Sequence, residues 1–237
     1  MKQGFVKVAS ATPRIRVADP VYNAQVICEQ AKEAAEHGAK IVVFPELCIT
    51  GYTCNDLFLQ ELLLEKAKEA LLTIAEETGQ LETLFLVGLP VDKDGRLYNV
   101  AAVLYRGRIL GMIPKKNIPM YAEFYEGRHF TPGEETVTEY RLGKQVIPFG
   151  SNLLFRCEEL PELVLGCELC EDLWVAEPPS TSHALMGATV IANLSASNET
   201  VSKDDYRTLL IKASSARLLC GYIYTSAGEG ESTQDLV

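Results

Sequence analysis

Apolar and polar positions along this chain follow two alternating periods, and the switches between them mark out the elements. In GFVKVASATP, residues 4–13, apolar residues alternate in the manner of a strand that ends at Pro13. From Asp19 the interval lengthens. Val21, Ala24, Ile27, Ala31 and Ala35 recur at helical spacing, with Asp19 as N-cap, Pro20 in the first helical position and Gly38 closing the segment. AKIVVFPEL reads as a strand that stops at Pro45, and NDLFLQELLLEKAKEALLTIAEETG, residues 55–79, as a longer amphipathic helix.

TLFLVGLPV and LYNVAAVLYRGRILGMIPK are strands, joined through Asp94-Gly95, a strong hairpin signal, with a second tight connection at YRGRIL. The span from Pro114 to Gly143 reads as irregular. QVIPFGSNLLF and LPELVLGCELC resume the strand pattern. SHALMGATV reads as a helix leading into the strand VIANLSAS, and DDYRTLLIKASSARLLCG as a helix before the strand YIYTSAG. No low-complexity tract or linker interrupts the run, so the pattern predicts a layered α/β domain with helices outside a mixed sheet.

Composition narrows the function classes. With 237 residues, 47% of them hydrophobic and 23% charged, the chain can bury a sizeable core. Its longest apolar runs fall far short of the ~20 residues a membrane span needs. MKQGFVKVASATP lacks the charged head and long apolar stretch of an export signal, so a cytoplasmic, membrane-free location is expected. A net charge of −10 argues against nucleic acid as a partner. Seven cysteines without an export signal point to reduced thiols. Cys167 and Cys170 form a C-x-x-C, but Cys48 and Cys54 make a poor second pair, and His37, His129 and His183 are isolated, so no metal site is expected.

Three strand ends carry candidate chemistry: Glu46 after Pro45, Lys115 after Pro114, and Cys170 after ELVLGCEL. Taken singly, each has a plain structural reading as a cap or ion-pair carboxylate, a turn lysine and a buried thiol. Cys170 also precedes two acids, Glu171 and Asp172, which oppose thiol ionisation, so a reactive cysteine there needs a partner elsewhere. Taken together, a carboxylate base, a lysine to stabilise an oxyanion and a thiol nucleophile form a complete acyl-transfer set.

FPEL, PKKNIPMYAEFYE and CEDLW, in this order and at these intervals, resemble the nitrilase (carbon–nitrogen hydrolase) superfamily. Within it, FPELCITGYTCNDLF, YAEFYE, CEDLW followed by VAEPPS, and NLSAS resemble the glutamine-hydrolysing N-terminal domains of glutamine-dependent NAD synthetases. The resemblance covers essentially the whole chain and implies an α/β fold, an αββα sandwich with two mixed β-sheets flanked by helices, that self-associates into a homo-oligomer.

It also implies roles. Glu46 takes the proton of Cys170, Cys170 attacks the side-chain amide of L-glutamine, and Lys115 stabilises the oxyanion with the Glu171 N–H. The motif spacing selects Lys115 over Lys116. Glu123 resembles a second glutamate beside the lysine. Glu171 would pair with the substrate α-amino group, and Tyr52, Tyr121, Phe124 and Ser197 would line the pocket. Lys203 stands where an arginine is expected for the α-carboxylate, keeping the charge but losing the bidentate fork.

No cofactor is implied for the amidase reaction, whereas a full synthetase would use ATP, Mg and deamido-NAD. The glycine- and serine-rich pyrophosphate loop of that partner domain has no counterpart here, AGEGESTQDLV being the nearest piece. Residues 1–237 are therefore expected to be one C-terminally shortened nitrilase-like domain without the synthetase domain. Two alternatives stand beside this reading: a stand-alone ω-amidase or carbamoyl hydrolase, and a non-catalytic assembly module.

Overall fold

The inner strands of this chain are apolar on both faces, which is the mark of strands covered on both sides. The computed structural model describes residues 4–232 and Leu236; parts of the expected 1–237 domain and of AGEGESTQDLV lie outside them. The elements are β1 (Val8–Ser10), α1 (Pro20–Glu36), β2 (Ile41–Val43), α2 (Glu61–Glu77), β3 (Leu84–Lys93), β4 (Arg96–Tyr105), β5 (Arg108–Pro114), β6 (Thr138–Leu142), β7 (Gln145–Phe149), β8 (Phe155–Arg156), β9 (Val164–Leu169), α3 (Pro179–Leu185), β10 (Val190–Ser195), α4 (Lys203–Leu218) and β11 (Gly221–Ser226).

They form two mixed sheets, seven strands in the order β1-β2-β3-β4-β5-β7-β6 and four in the order β11-β10-β9-β8. The period of two sorts side chains between layers. On the first sheet, Val42, Phe85, Val87, Val100 and Ala102 point to the α1–α2 side, where Ile27, Ala31, Leu71 and Ile74 cover them. Their neighbours Ile41, Val43, Leu86, Ala101 and Val103 point the other way and meet Leu165, Leu169, Ala192 and Leu194 of the second sheet. α3 packs on β9 and α4 on β11, which completes an αββα stack. Cys167 fills the inter-sheet core, fully buried, so the C-x-x-C is one core thiol and one at a strand end.

Helix α1 starts as its local signals dictate: the Asp19 carboxylate accepts from Tyr22 N at 3.1 Å, Pro20 occupies the first turn, and Gly38 follows with φ 83°. α2 does not. It was expected from residue 55, but Tyr52–Leu59 forms 3-10 turns broken at Asn55 (φ 49°, ψ −131°), and the helix begins at Glu61. Tertiary partners take over the backbone there: Glu231 accepts from Tyr52 N at 2.7 Å and Thr53 N at 3.0 Å, and Asp56 accepts from Arg128 at 2.7 Å. The stretch read as irregular to Gly143 ends in a hairpin, since β6 pairs with β7 around Gly143. The helix read from Ser182 begins at Pro179. Among the described residues no helix is long and apolar enough to cross a membrane.

Candidate active site

Glu46 lies three residues beyond β2, in a turn that crosses over β3. Gly88 makes the crossing possible, because a Cβ there would sit 2.3 Å from Leu47 N and 2.6 Å from Pro45 O. The turn is tied to the second sheet by Glu46 N donating to Ser195 O at 3.3 Å. The Glu46 carboxylate, fully buried, accepts from Lys115 Nζ and Asn99 Nδ2, both at 2.7 Å on Oε1, and from Ala196 N at 2.9 Å on Oε2.

Lys115 follows β5 and is also fully buried. Its backbone is held on both sides, Lys115 N donating to Asn99 O at 2.8 Å and Gly133 N to Lys115 O at 2.7 Å. Nζ donates to Glu46 and, at 2.5 Å, to Glu126 Oε1. Lys116 turns outward to Glu135 on the surface. The lysine's second carboxylate is thus Glu126, not Glu123 as expected. Both belong to YAEFYE, but Ala122 turns the chain with φ 50°, leaving Glu123 half-buried against Asn198, while Glu126 starts a short 3-10 turn and points inward. Tyr52 Oη donates to Glu126 Oε1 at 2.8 Å and Asn99 Nδ2 lies 3.3 Å from Oε2, which closes the ring of partners.

Cys170 follows β9 in a left-handed conformation, φ 41°, unusual for a residue with a Cβ and held only because its surroundings fix it. Cys170 N donates to Asn193 Oδ1 at 3.2 Å. Asp172, two residues on, accepts from Leu169 N at 3.0 Å and from both Asn117 N and Asn117 Nδ2 at 2.8 Å. It therefore clasps the turn that carries the thiol to the loop that follows Lys115. Sequence reading missed Asp172, although it stands inside CEDLW.

The charges explain what this cluster can do. Burial, with help from Glu126, raises the Glu46 carboxyl to about 7, against the pull of Lys115. Burial alone would lower the lysine, but Glu126 and Glu46 outweigh it and hold the ammonium well above its usual value. Burial and the Glu46 charge push the Cys170 thiol up to about 12, so the resting cysteine is protonated beside a base.

A second group of residues surrounds this core. Tyr121 Oη donates to Glu171 Oε2 at 2.8 Å, and burial raises the Glu171 carboxyl. Phe124 packs edge-on between Tyr52 and Tyr121. Lys203 Nζ lies 5.3 Å from the Trp174 ring centre and 5.7 Å from that of Phe124, and donates to Asn198. Ser197 is buried, its N donating to Ser226 Oγ at 3.1 Å. The roomier cavities, about 340 Å³ beside the β3–β4 hairpin and about 310 Å³ between β1 and α1, have no thiol in their walls and lie away from this cluster. Among the described residues no group of three or more His, Cys, Asp or Glu side chains is placed to hold a metal ion.

Comparison with known proteins agrees with this geometry. A family model described as carbon-nitrogen hydrolase matches residues 7–227. The chain is 43% identical over 235 residues, 99% of its own length, to a Mycobacterium tuberculosis protein named glutamine-dependent NAD(+) synthetase, and it spans 35% of that relative. Its fold superposes with a TM-score of 0.83 on a glutamine-dependent NAD(+) synthetase from Cytophaga hutchinsonii, at 27% identity, covering 97% of this chain and 40% of the other. An amidase of the nitrilase superfamily from Nesterenkonia shares the fold at a TM-score of 0.72 and 20% identity, over 96% of this chain and 78% of the amidase.

Proposed function

The chain belongs to the carbon–nitrogen hydrolase family, and we propose that its Glu46–Lys115–Cys170 site hydrolyses the side-chain amide of L-glutamine to glutamate and ammonia. The observation that carries this reading is the buried carboxylate–lysine pair set beside a thiol on a strained turn.

With the thiol near 12 and Glu46 near 7, proton transfer is uphill until the sulfur begins to bond to carbon. Glu46 therefore takes the proton as Cys170 attacks the amide carbonyl, and the charge that develops on oxygen falls to Lys115 and the Glu171 N–H. Collapse of the tetrahedral species, with the proton passed to nitrogen, releases ammonia and leaves a thioester on Cys170. Glu46 then activates a water that hydrolyses the thioester, which frees glutamate and restores the thiol. Cys170 N–H is already committed to Asn193, which supports the Glu171 amide as the backbone donor.

Around the candidate site, Glu171, held by the Tyr121 hydroxyl, presents a negative edge and Lys203 a positive one, an arrangement suited to the two charges of an α-amino acid. The names of the relatives, of which this chain spans 35%, support a use for the ammonia in NAD synthesis; the partner synthetase domain would consume ATP and deamido-NAD with Mg as its metal. In this reading residues 1–237 are the ammonia-supplying domain, cytoplasmic and self-associating, and sedimentation velocity measures the latter. The deciding experiment is ammonia release from L-glutamine by the chain and by Cys170→Ala, with mass spectrometry of Cys170 after exposure to a glutamine-like diazoketone. Cys170-dependent release and labelling are expected. A folded sample that turns over other ω-amides but not glutamine would overturn the substrate assignment.

A further inference from the structure

Glu168 lies on β9 two residues before the nucleophile, on the α3-covered face of the second sheet, is 1% exposed, and plays no part in the chemistry above. Its partners are the Tyr222 hydroxyl on Oε1 and Ser180 N at 2.8 Å on Oε2, rather than a cation. Tyr222 Oη in turn accepts from Asn193 Nδ2 at 3.3 Å, and Asn193 Oδ1 accepts from Cys170 N at 3.2 Å and Ser195 Oγ at 2.7 Å. Four elements, β9, β10, β11 and α3, thus meet in one buried polar line that ends on the backbone of the nucleophile.

The direction of every bond in this line is set by its ends. A peptide N–H can only donate, so Cys170 N–H obliges Asn193 to present its oxygen, which leaves the Asn193 amino group facing Tyr222. The Tyr222 oxygen, already receiving that hydrogen, sends its own proton to Glu168. Ser180 N–H donates to the other carboxylate oxygen. Glu168 must then accept on both oxygens, which an ionised carboxylate does and an amide cannot.

We propose that Glu168, Tyr222 and Asn193 are positioning residues for the amidase site, a one-way hydrogen-bond chain that locks the left-handed turn of Cys170 and keeps its N–H out of the oxyanion position. The proposal rests on the amidase reading for its kinetic consequence but not for its structural one. Burial raises the Glu168 carboxyl to about 7, and the bonds it accepts from Tyr222 and Ser180 work against that shift; an apolar side chain would leave both of those buried donors without an acceptor.

Two near-isosteric variants test this. Glu168→Gln places an amino group against either Ser180 N–H or the Tyr222 hydroxyl, and Tyr222→Phe cuts the line in the middle. In folded protein each variant lowers kcat for amide hydrolysis by about tenfold or more with KM within twofold, because the nucleophile is misplaced while the pocket is intact. The double variant loses no more than the worse single one, as expected of groups acting as one unit.

Alkylation by iodoacetamide, followed by peptide mass spectrometry, reads the same turn without any substrate. Cys170 is expected to react about fivefold or more slowly in both variants while buried Cys28 and Cys220 keep their rates. Unchanged kcat and unchanged Cys170 alkylation in the folded variants would overturn the proposal. So would a joint acceleration at Cys170, Cys28 and Cys220, which marks general loosening. If the parent chain releases no ammonia from glutamine, the alkylation arm still decides the positioning role while the substrate reading fails by itself.

Discussion

Two lysines of the candidate site live under opposite physics. Lys115 is fully buried between two carboxylates, which hold its ammonium well above the usual value despite the lack of water. Lys203 sits at the rim against Trp174 and Phe124, with Asn198 as its hydrogen-bond partner, and burial lowers it. A cation sealed among anions is fixed in charge and place, which suits it to a charge that forms only during reaction. A cation resting on aromatic rings, with a neutral amide as its hydrogen-bond partner, suits the proposed role of meeting a substrate carboxylate. In the proposed reading, this difference separates the chemistry of the site from its recognition.

The comparison breaks most sharply at Lys115. Lys115→Met leaves Glu46 and Glu126 facing each other without a cation, so a loss of about 3–5 kcal/mol in denaturant unfolding is expected, with ammonia release falling to the level of Cys170→Ala. Glu126→Gln is gentler, because Lys115 keeps Glu46. In the proposed mechanism the ionised form of Glu46 is the base, so the rate is expected to rise as pH climbs through its pKa, about 7. Glu126 is one cause of that elevation after burial itself; its neutralisation lowers the Glu46 pKa, and the rise in the pH–rate profile moves to lower pH. A rise that stays in place would show that Glu126 does not tune the base. kcat should fall by about tenfold as Lys115 loses one of its two anchors.

The smallest effect belongs to the rim. Lys203→Met is expected to raise KM for glutamine by about tenfold with kcat within twofold and an almost unchanged melting temperature. Lys203→Arg sharpens the test. If Lys203 holds a carboxylate, the planar fork should keep or lower KM, whereas a KM insensitive to both changes would move carboxylate recognition to another group.

Much of this molecule is local and therefore legible along the chain. Asp19, Pro20 and Gly38 bound α1 through contacts a few residues apart, and the Asp94-Gly95 pair turns the β3–β4 hairpin. Prolines at 45 and 114 and the end of β9 put Glu46, Lys115 and Cys170 at strand ends, so all three stood out as candidates before any geometry was known. The pattern of apolar runs predicted a layered α/β domain with a mixed sheet, and the two-sheet sandwich entered through the resemblance of the ordered motifs to the family.

What remained hidden depends on partners far away in sequence. α2 starts late because Glu231 and Arg128, remote from residues 52–59, take the backbone and the Asp56 carboxylate there. YAEFYE holds two glutamates three residues apart, and only the turn at Ala122 decides that Glu126 enters the core while Glu123 stays with Asn198. Asn99, Asp172 and Asn193 are ordinary polar residues by composition; they matter because strands distant along the chain bring them to Glu46, to the Lys115 loop and to Cys170. Periodicity and short motifs thus determined the layered α/β class and the candidate reacting residues, which need only neighbours in the chain. Tertiary structure alone decided which carboxylate meets the lysine and what holds the cysteine turn, because a buried polar group takes its partner from whatever the packed sheets deliver within about 3 Å.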